Sequence, residues 1–398
     1  MKKAAVRLLS ALFGVAAGLL LAEAGIAIAN RWFPYFYAFD AQRGWALKPG
    51  VAGWWRREGG AYVSINRDGF RGPDLPKAKP PGTVRIAVLG DSYVQATQVP
   101  YEKTFPQVIA RNLARCPALG GRRVEARNFG VDGYGTAQEL ITLKQKALAY
   151  SPDIVVLAIF LGNDVRNNSI RLEESRCRPF YVYRDGKLVA VGPFETSKSF
   201  RLWCMAQYNY RHSGILALLG DAWRVLRERR ARPSADYPME PALNYNIYLP
   251  PPDQAWRQAW RVTEGLIAET AEVAAARHAL FLAATLDTGI QVWPAAGPRQ
   301  RFERMLGVAD LFYPDRRIAA LGAREGFAVL ALAEPLQRYA EQHHAYLHGF
   351  SNTPMGFGHW NALGHRVAGR LLAAKLCAML NAGGPATDSA PAKPGASR

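Results

Sequence analysis

Apolar positions along this chain change their period several times. Residues 84–89 form a short β-branched apolar run that stops at Gly90-Asp91-Ser92. Residues 104–113 repeat apolar side chains at helical spacing. Residues 124–129 return to a strand pattern, ended by Gly130, and residues 137–149 read as helix. Residues 153–160, DIVVLAIF, form the most apolar strand and stop at Gly162-Asn163-Asp164. Helix 253–276, strand 279–285, helix 316–326, strand 328–332 and a closing helix 361–380 follow. Strands that are apolar throughout have no solvent face. Their alternation with helices predicts a parallel sheet covered on both sides. The expected fold class is α/β: a three-layer sandwich around a five-stranded parallel sheet of flavodoxin-like order, 2-1-3-4-5.

Three segments lie outside this alternation. Residues 165–252 read as an inserted α+β cap, with a hairpin at 180–194 turning on Asp185-Gly186 and a helix at 213–232. Residues 31–83 form an aromatic and Gly-rich extension that includes Trp45, Trp54 and Trp55. Its end, 75–83, holds three prolines and two lysines and reads as a linker to a main domain at 84–381. Residues 382–398 are rich in Ala, Gly, Pro and Ser and read as a disordered tail.

The N-terminus sets the compartment. Lys2, Lys3 and Arg7 precede an apolar run at 8–21 that continues past Glu23 to Ala29. This is the layout of an export signal. Ala22-Glu23-Ala24 and Ala27-Ile28-Ala29 are both small-x-small cleavage sites, while residues 4–29 are long enough to stay as a single anchor. Either way, residues 1–30 place the remainder on the periplasmic side of an inner membrane. Four cysteines, Cys116, Cys177, Cys204 and Cys377, suit two disulfides in such a compartment.

Composition narrows the partners. Apolar residues make up 49% and charged residues 21%, which excludes a disordered chain. One apolar span excludes a polytopic membrane protein. The net charge of +18 suits any anionic neighbour, but export removes nucleic acid. Between Arg166 and Asp236 there are fourteen Lys and Arg against seven Asp and Glu, with Arg224, Arg227, Arg229, Arg230 and Arg232 clustered. A basic cap would face an anionic polysaccharide or a membrane surface.

Loops at the carboxyl ends of parallel strands carry ligands. Here they carry Ser92, Gly130 to Gly133 and Asn163. A serine needs a base, and His359, in GHWNALGH on the loop before the last helix, can reach the same rim. The amides of Ser92 and Gly133 and the side chain of Asn163 are candidate oxyanion donors. Asn163 also suits a helix N-cap, Asp164 a cap or supporting role, and His365 a structural one. His343, His344 and His348 cluster near a helix end without a Cys or a set of carboxylates to complete a ligand shell, so no metal or other cofactor is expected.

These blocks resemble the SGNH, or GDSL-type, hydrolase superfamily. Val88-Leu89-Gly90-Asp91-Ser92-Tyr93, Asn128 to Gly133, Gly162-Asn163-Asp164 and His359 to His365 stand in the family's order. The resemblance implies a serine nucleophile, Ser92, a general base, His359, and an oxyanion hole of Ser92, Gly133 and Asn163. It also implies an aspartate three residues before the histidine, where this chain has Gly356. A backbone carbonyl near Gly356, or a remote acid such as Asp310 or Asp315, is left to orient His359. Failing both, the site has lost activity. In a 2-1-3-4-5 sheet the helices that end at Cys116 and Cys377 share a face, which predicts a 116–377 disulfide and leaves 177–204 to staple the cap. The leading expectation is an exported serine esterase that removes O-acyl groups, acetyl foremost, from an envelope polysaccharide or a small ester. The alternatives are an O-acyltransferase to a sugar hydroxyl and a weakly active polysaccharide-binding protein.

Overall fold

A computed structural model describes residues 2–29, 32, 34–209, 214–230, 240 and 243–383. Arg232, the side chains of Arg224, Arg227, Arg229 and Arg230, and the tail from residue 384 lie outside the described residues.

Eleven strands are described. Two hairpins come first, β1 (Tyr37–Asp40) with β2 (Gly44–Leu47) and β3 (Ala52–Trp55) with β4 (Ala61–Ser64). Then come β5 (Thr83–Leu89), β6 (Arg123–Asn128) and β7 (Ile154–Phe160). The inserted hairpin is β8 (Phe180–Arg184) with β9 (Lys187–Val191), and β10 (Leu280–Leu286) and β11 (Ala328–Ala331) complete the set. The central sheet runs β6-β5-β7-β10-β11, all parallel, which is the expected 2-1-3-4-5 order.

Side-chain alternation divides each strand between two cores. Val84, Ile86 and Val88 of β5 face a core with Phe105, Ile109 and Leu113 of helix Phe105–Leu113 and Leu372 and Leu376 of helix Ala362–Asn381. Ala87 and Leu89 face the opposite core, with Leu143 of helix Thr136–Gln145, Trp260 and Ile267 of helix Gln254–Ala275, and Ile318 of helix Tyr313–Glu325. Each wholly buried Val, Leu or Ile contributes about 1.5–3 kcal/mol relative to exposure, so both layers are needed. Three of the longer helices had no clear sequence signal, among them Lys198–Asn209 in the insertion. Ala296–Leu306 is polar and buries only Arg299 and Phe302, and Ala333–His343 follows directly on β11.

Helices Phe105–Leu113 and Ala362–Asn381 pack on the same face, and Cys116 is bonded to Cys377 across them. Cys177 is bonded to Cys204 within the insertion. Both pairings match the expectation. The first closes a separation of 261 residues and the second one of 27. Chain entropy assigns about 5 kcal/mol to the long loop and about 3–4 kcal/mol to the short one. Paired Ser replacement of Cys116 and Cys377 should therefore lower the urea midpoint more than replacement of Cys177 and Cys204. The reverse ranking in urea melts would refute that.

The N-terminal extension is bound into the main fold. Phe36, Trp45, Leu47, Val63 and Ile65 form one core with Val131 and Tyr134 of the loop after β6. Arg71 is buried and donates to the carbonyls of Gln95, at 2.9 Å, and Val99, at 2.5 Å. Its guanidinium thus satisfies the backbone that follows Ser92. The Pro-rich segment is tied down too: Arg85 donates to Lys77 O and Arg127 to Pro76 O. In the insertion, Asp185 and Gly186 both take positive φ, the geometry of a two-residue hairpin turn.

Candidate active site

The register of β5 with β7, Leu89 opposite Leu157, brings their carboxyl ends to one rim. At the end of β5 the chain turns on Gly90. A Cβ there would stand 2.3 Å from Val94 and 2.8 Å from Ala158 O, so only glycine fits. Ser92 then opens the short helix Ser92–Gln95, and Asp91 caps it by accepting from Tyr93 N at 2.9 Å. The turn aims the serine hydroxyl at the rim.

His359 Nε2 lies 2.8 Å from Ser92 Oγ. Its Nδ1 lies 2.6 Å from Glu58 Oε2, and its backbone N donates to Glu58 Oε1 at 2.7 Å. The acid therefore comes from the extension, 301 residues upstream of the histidine, on the turn between β3 and β4. That turn is clamped from both sides. Gly59 N donates to Asn352, Asn352 donates back to Gly59 O, and Gly60 N donates to Gln98 O.

None of the expected orienting groups stands here. Asp310 accepts from Arg316 at 2.9 Å and from Phe312 N at 2.8 Å. Asp315 is buried on Thr285 and Gln291, and burial pushes its carboxyl up to about 7. Gly356 carries its carbonyl against Gly289, where a Cβ would stand 1.9 Å from that oxygen. A Cβ on Gly356 itself would stand 2.4 Å from the Trp293 ring, and its φ is +84°. No side chain fits at the position where the resemblance expects aspartate, so the carboxylate is supplied from another segment. A lone Glu before Gly59-Gly60, between two short alternating runs, is the only sequence trace of it.

Burial alone would lower the His359 pKa. The hydrogen bond and charge of Glu58, with Asp132 and Asp91 nearby, outweigh it and raise the value to about 9. Burial opposes ionisation of Glu58, yet the His359 contact still holds its carboxyl below the usual range.

Ser92, Gly133 and Asn163 stand on the loops after β5, β6 and β7, at the carboxyl ends of adjacent parallel strands. Gly133 adopts φ +74° on the loop after β6, with the Trp45 ring 3.4 Å from where a Cβ would be. Asn163 stands at the start of helix Asp164–Asn167, but its side chain makes no capping bond there. Among the described residues, Ser92 N, Gly133 N and Asn163 Nδ2 meet no protein acceptor. Asp164 is buried and accepts from Phe160 N, a supporting position. Burial pushes the carboxyls of Asp164 and Glu139 well above the usual carboxylate range.

The loop that carries His359 is held at both neighbours. His348 Nδ1 lies 2.7 Å from Gly358 O and its Nε2 2.8 Å from Asp287 Oδ2, while Trp360 Nε1 donates to Asp287 Oδ1 at 3.1 Å. Both ring nitrogens of His348 face acceptors, which requires the imidazolium. Burial opposes that charge, but Asp287 prevails and raises the pKa. The pair's stabilisation is full below about 6.5 and is lost as pH rises through the folded value. Asp287→Ala would strand a buried cation and should cost about 3–5 kcal/mol in urea unfolding at pH 6. A loss under 1 kcal/mol would show the pair to be unimportant. His348 is thus turned inward, away from any cluster with His343 and His344. His365 is also structural: Phe105 N donates to its Nδ1, and burial lowers its pKa to about 3.

No protein-family model matches the chain, and no curated protein matches it. Solved structures do. An acetyl xylan esterase is 12% identical with a TM-score of 0.38, covering 73% of this chain and 99% of its own. A G-D-S-L family lipolytic protein from Desulfitobacterium hafniense is 10% identical with a TM-score of 0.34, covering 73% and 98%. A lipase/acylhydrolase from Enterococcus faecalis is 13% identical with a TM-score of 0.36, covering 77% and 100%. At such identities and scores the function has to be read from the site itself.

Proposed function

We propose that this chain is an exported, membrane-anchored serine esterase of the SGNH type that removes acetyl or other short O-acyl groups from an envelope polysaccharide. The observation that carries this reading is the hydrogen-bonded series Ser92–His359–Glu58; Ser92 N, Gly133 N and Asn163 Nδ2, on the loops at the same ends of neighbouring strands, are without protein acceptors among the described residues. Ser92 Oγ attacks the ester carbonyl as its proton passes to His359 Nε2. Glu58 fixes the imidazole through Nδ1 and stabilises its cation. Ser92 N, Gly133 N and Asn163 Nδ2 hold the oxyanion. The C–O bond to the sugar then breaks, and the leaving alkoxide takes the proton from Nε2. Water, deprotonated by the neutral His359, attacks the acyl-enzyme, releases the acid and restores the Ser92 hydroxyl.

Anchoring is supported by the helix Lys2–Ala29, which contains an 18-residue window of mean hydropathy 2.1 with none of that window buried. Export is supported by the two disulfides. Glu58 removes the ground for a site that lost its acid. A sugar hydroxyl in place of water would make the same acyl-enzyme a transferase. The test is a fluorophosphonate, read by peptide mass, followed by p-nitrophenyl acetate turnover with and without an acetyl-free oligosaccharide. A label on Ser92 and turnover unchanged by the sugar support the esterase. Acetylated sugar would replace it with the transferase, and an unlabelled Ser92 in folded protein would overturn both.

A further inference from the structure

Helix Gly214–Arg230 of the insertion meets the N-terminal helix at its first turn. Glu23 accepts from the backbone N of Gly214 and, at 3.2 Å, from that of Ile215. Ile26 packs against Gly214 so closely that a Cβ there would stand 2.2 Å away. The one carboxylate in the apolar helix therefore serves as the acceptor for the start of a second helix, where a negative charge is favoured.

Position along the anchor gives this contact its level. Residues 3–29 extend about 40 Å at 1.5 Å per residue, and a hydrocarbon layer of about 30 Å takes about 20 of them. Counted from the basic end, Glu23 falls within about one turn of the outer boundary. Helix Gly214–Arg230 starts at that boundary.

Its apolar side chains are on the outside. Leu216 is 51% exposed, Leu219 63%, Trp223 67% and Leu226 56%. Their spacing of three, four and three residues puts them on one stripe. The preceding helix, Lys198–Asn209, exposes Leu202 and Trp203 as well. A soluble surface rarely leaves so many large apolar side chains exposed along one helix. The same helix carries four arginines after residue 223 in its sequence. Leucine and tryptophan on one stripe with arginine on the same helix is the make-up of a helix lying in a membrane interface.

We infer that this insertion rests on the outer leaflet of the membrane crossed by the N-terminal helix, with Leu216, Leu219, Trp223 and Leu226 in the headgroup–acyl boundary. The inference rests on the anchor reading above, and the occupant of the apolar stripe is lipid. Contact at two points, the anchor and this helix, fixes the orientation of the body instead of leaving it to swing on a tether. The Ser92 rim is then held at a set height over the leaflet.

The full chain, reconstituted in vesicles of phosphatidylethanolamine and phosphatidylglycerol with brominated acyl chains, tests this. The helix Lys2–Ala29 contains no tryptophan, so insertion of the anchor alone quenches nothing within it. Trp223→Phe should remove a distinct share of the bromolipid-quenched fluorescence, and Trp32→Phe serves as the reference for the residue next to the anchor. Leu219→Asp with Leu226→Asp should abolish quenching of Trp223 while the chain still resists carbonate extraction. Quenching that is unchanged in Trp223→Phe would overturn the inference, as would a Trp223 quenched equally with and without the two aspartates. Extraction of the wild type by carbonate would instead overturn the anchor reading.

Discussion

Glu58→Gln is expected to lower kcat/KM on a small acetyl ester about 10²–10⁴-fold at high pH and to shift its pH midpoint from about 9 down toward 6.5. Glutamine keeps the shape and an acceptor oxygen but removes the charge. That charge has two consequences with opposite effects. In the proposed reaction it stabilises the imidazolium formed when Ser92 gives up its proton, which speeds the chemistry. It also stabilises the imidazolium before substrate binds, which withholds the base below about pH 9. A histidine at its ordinary value is mostly neutral at pH 7, whereas one near 9 is neutral in only about one molecule in a hundred. The deficit of the variant should therefore be greatest above pH 9 and narrow by one to two orders of magnitude toward pH 7. A merely misfolded variant would lose activity evenly across the range. Unmoved midpoints in the pH profile of kcat/KM would remove Glu58 from the role assigned to it.

What was readable in the sequence was what the local chain determines. Ser92 and Asn163 each follow a strand whose apolar run ends abruptly, and Gly133 follows the strand 123–128 through Gly130, so strand and loop were visible together. His359 lies before a helix whose cap, Asn361, accepts from Leu363 and Gly364 N. The Cys116–Cys377 pairing followed from sheet order alone. Glu58 was not readable for a physical reason. Its turn reaches the rim because the extension packs Trp45 and Phe36 on Val131 and Tyr134, and nothing local to Glu58 encodes that docking. Gly356 looked like a lost acid, but it is a glycine that the Trp293 ring and Gly289 demand. His348 read as one of three clustered histidines near a helix end. Its buried partner, Asp287, lies 61 residues upstream at the end of β10.

Ser92→Ala, His359→Ala and the double variant should all fall to nearly the same residual rate, about 10⁵–10⁶ below wild type. In the proposed reaction the nucleophile and its base act in one proton transfer, so once either is gone the other has nothing to do. Ser92 Oγ is small and His359 is a quarter exposed, so neither truncation leaves a large buried void. What remains would come from donors that these changes do not touch. Adding Asn163→Ala to Ser92→Ala should then remove a further share of that remainder, whereas in the wild-type background it should cost about 10²–10³ in kcat. The comparison separates two ways in which this rim could work. If Ser92 and His359 form the unit drawn from their 2.8 Å contact, the double variant is no worse than either single one. A double variant slower than each single by the product of their separate losses would mean that the two residues act in different steps, and the contact between them would not be the catalytic one.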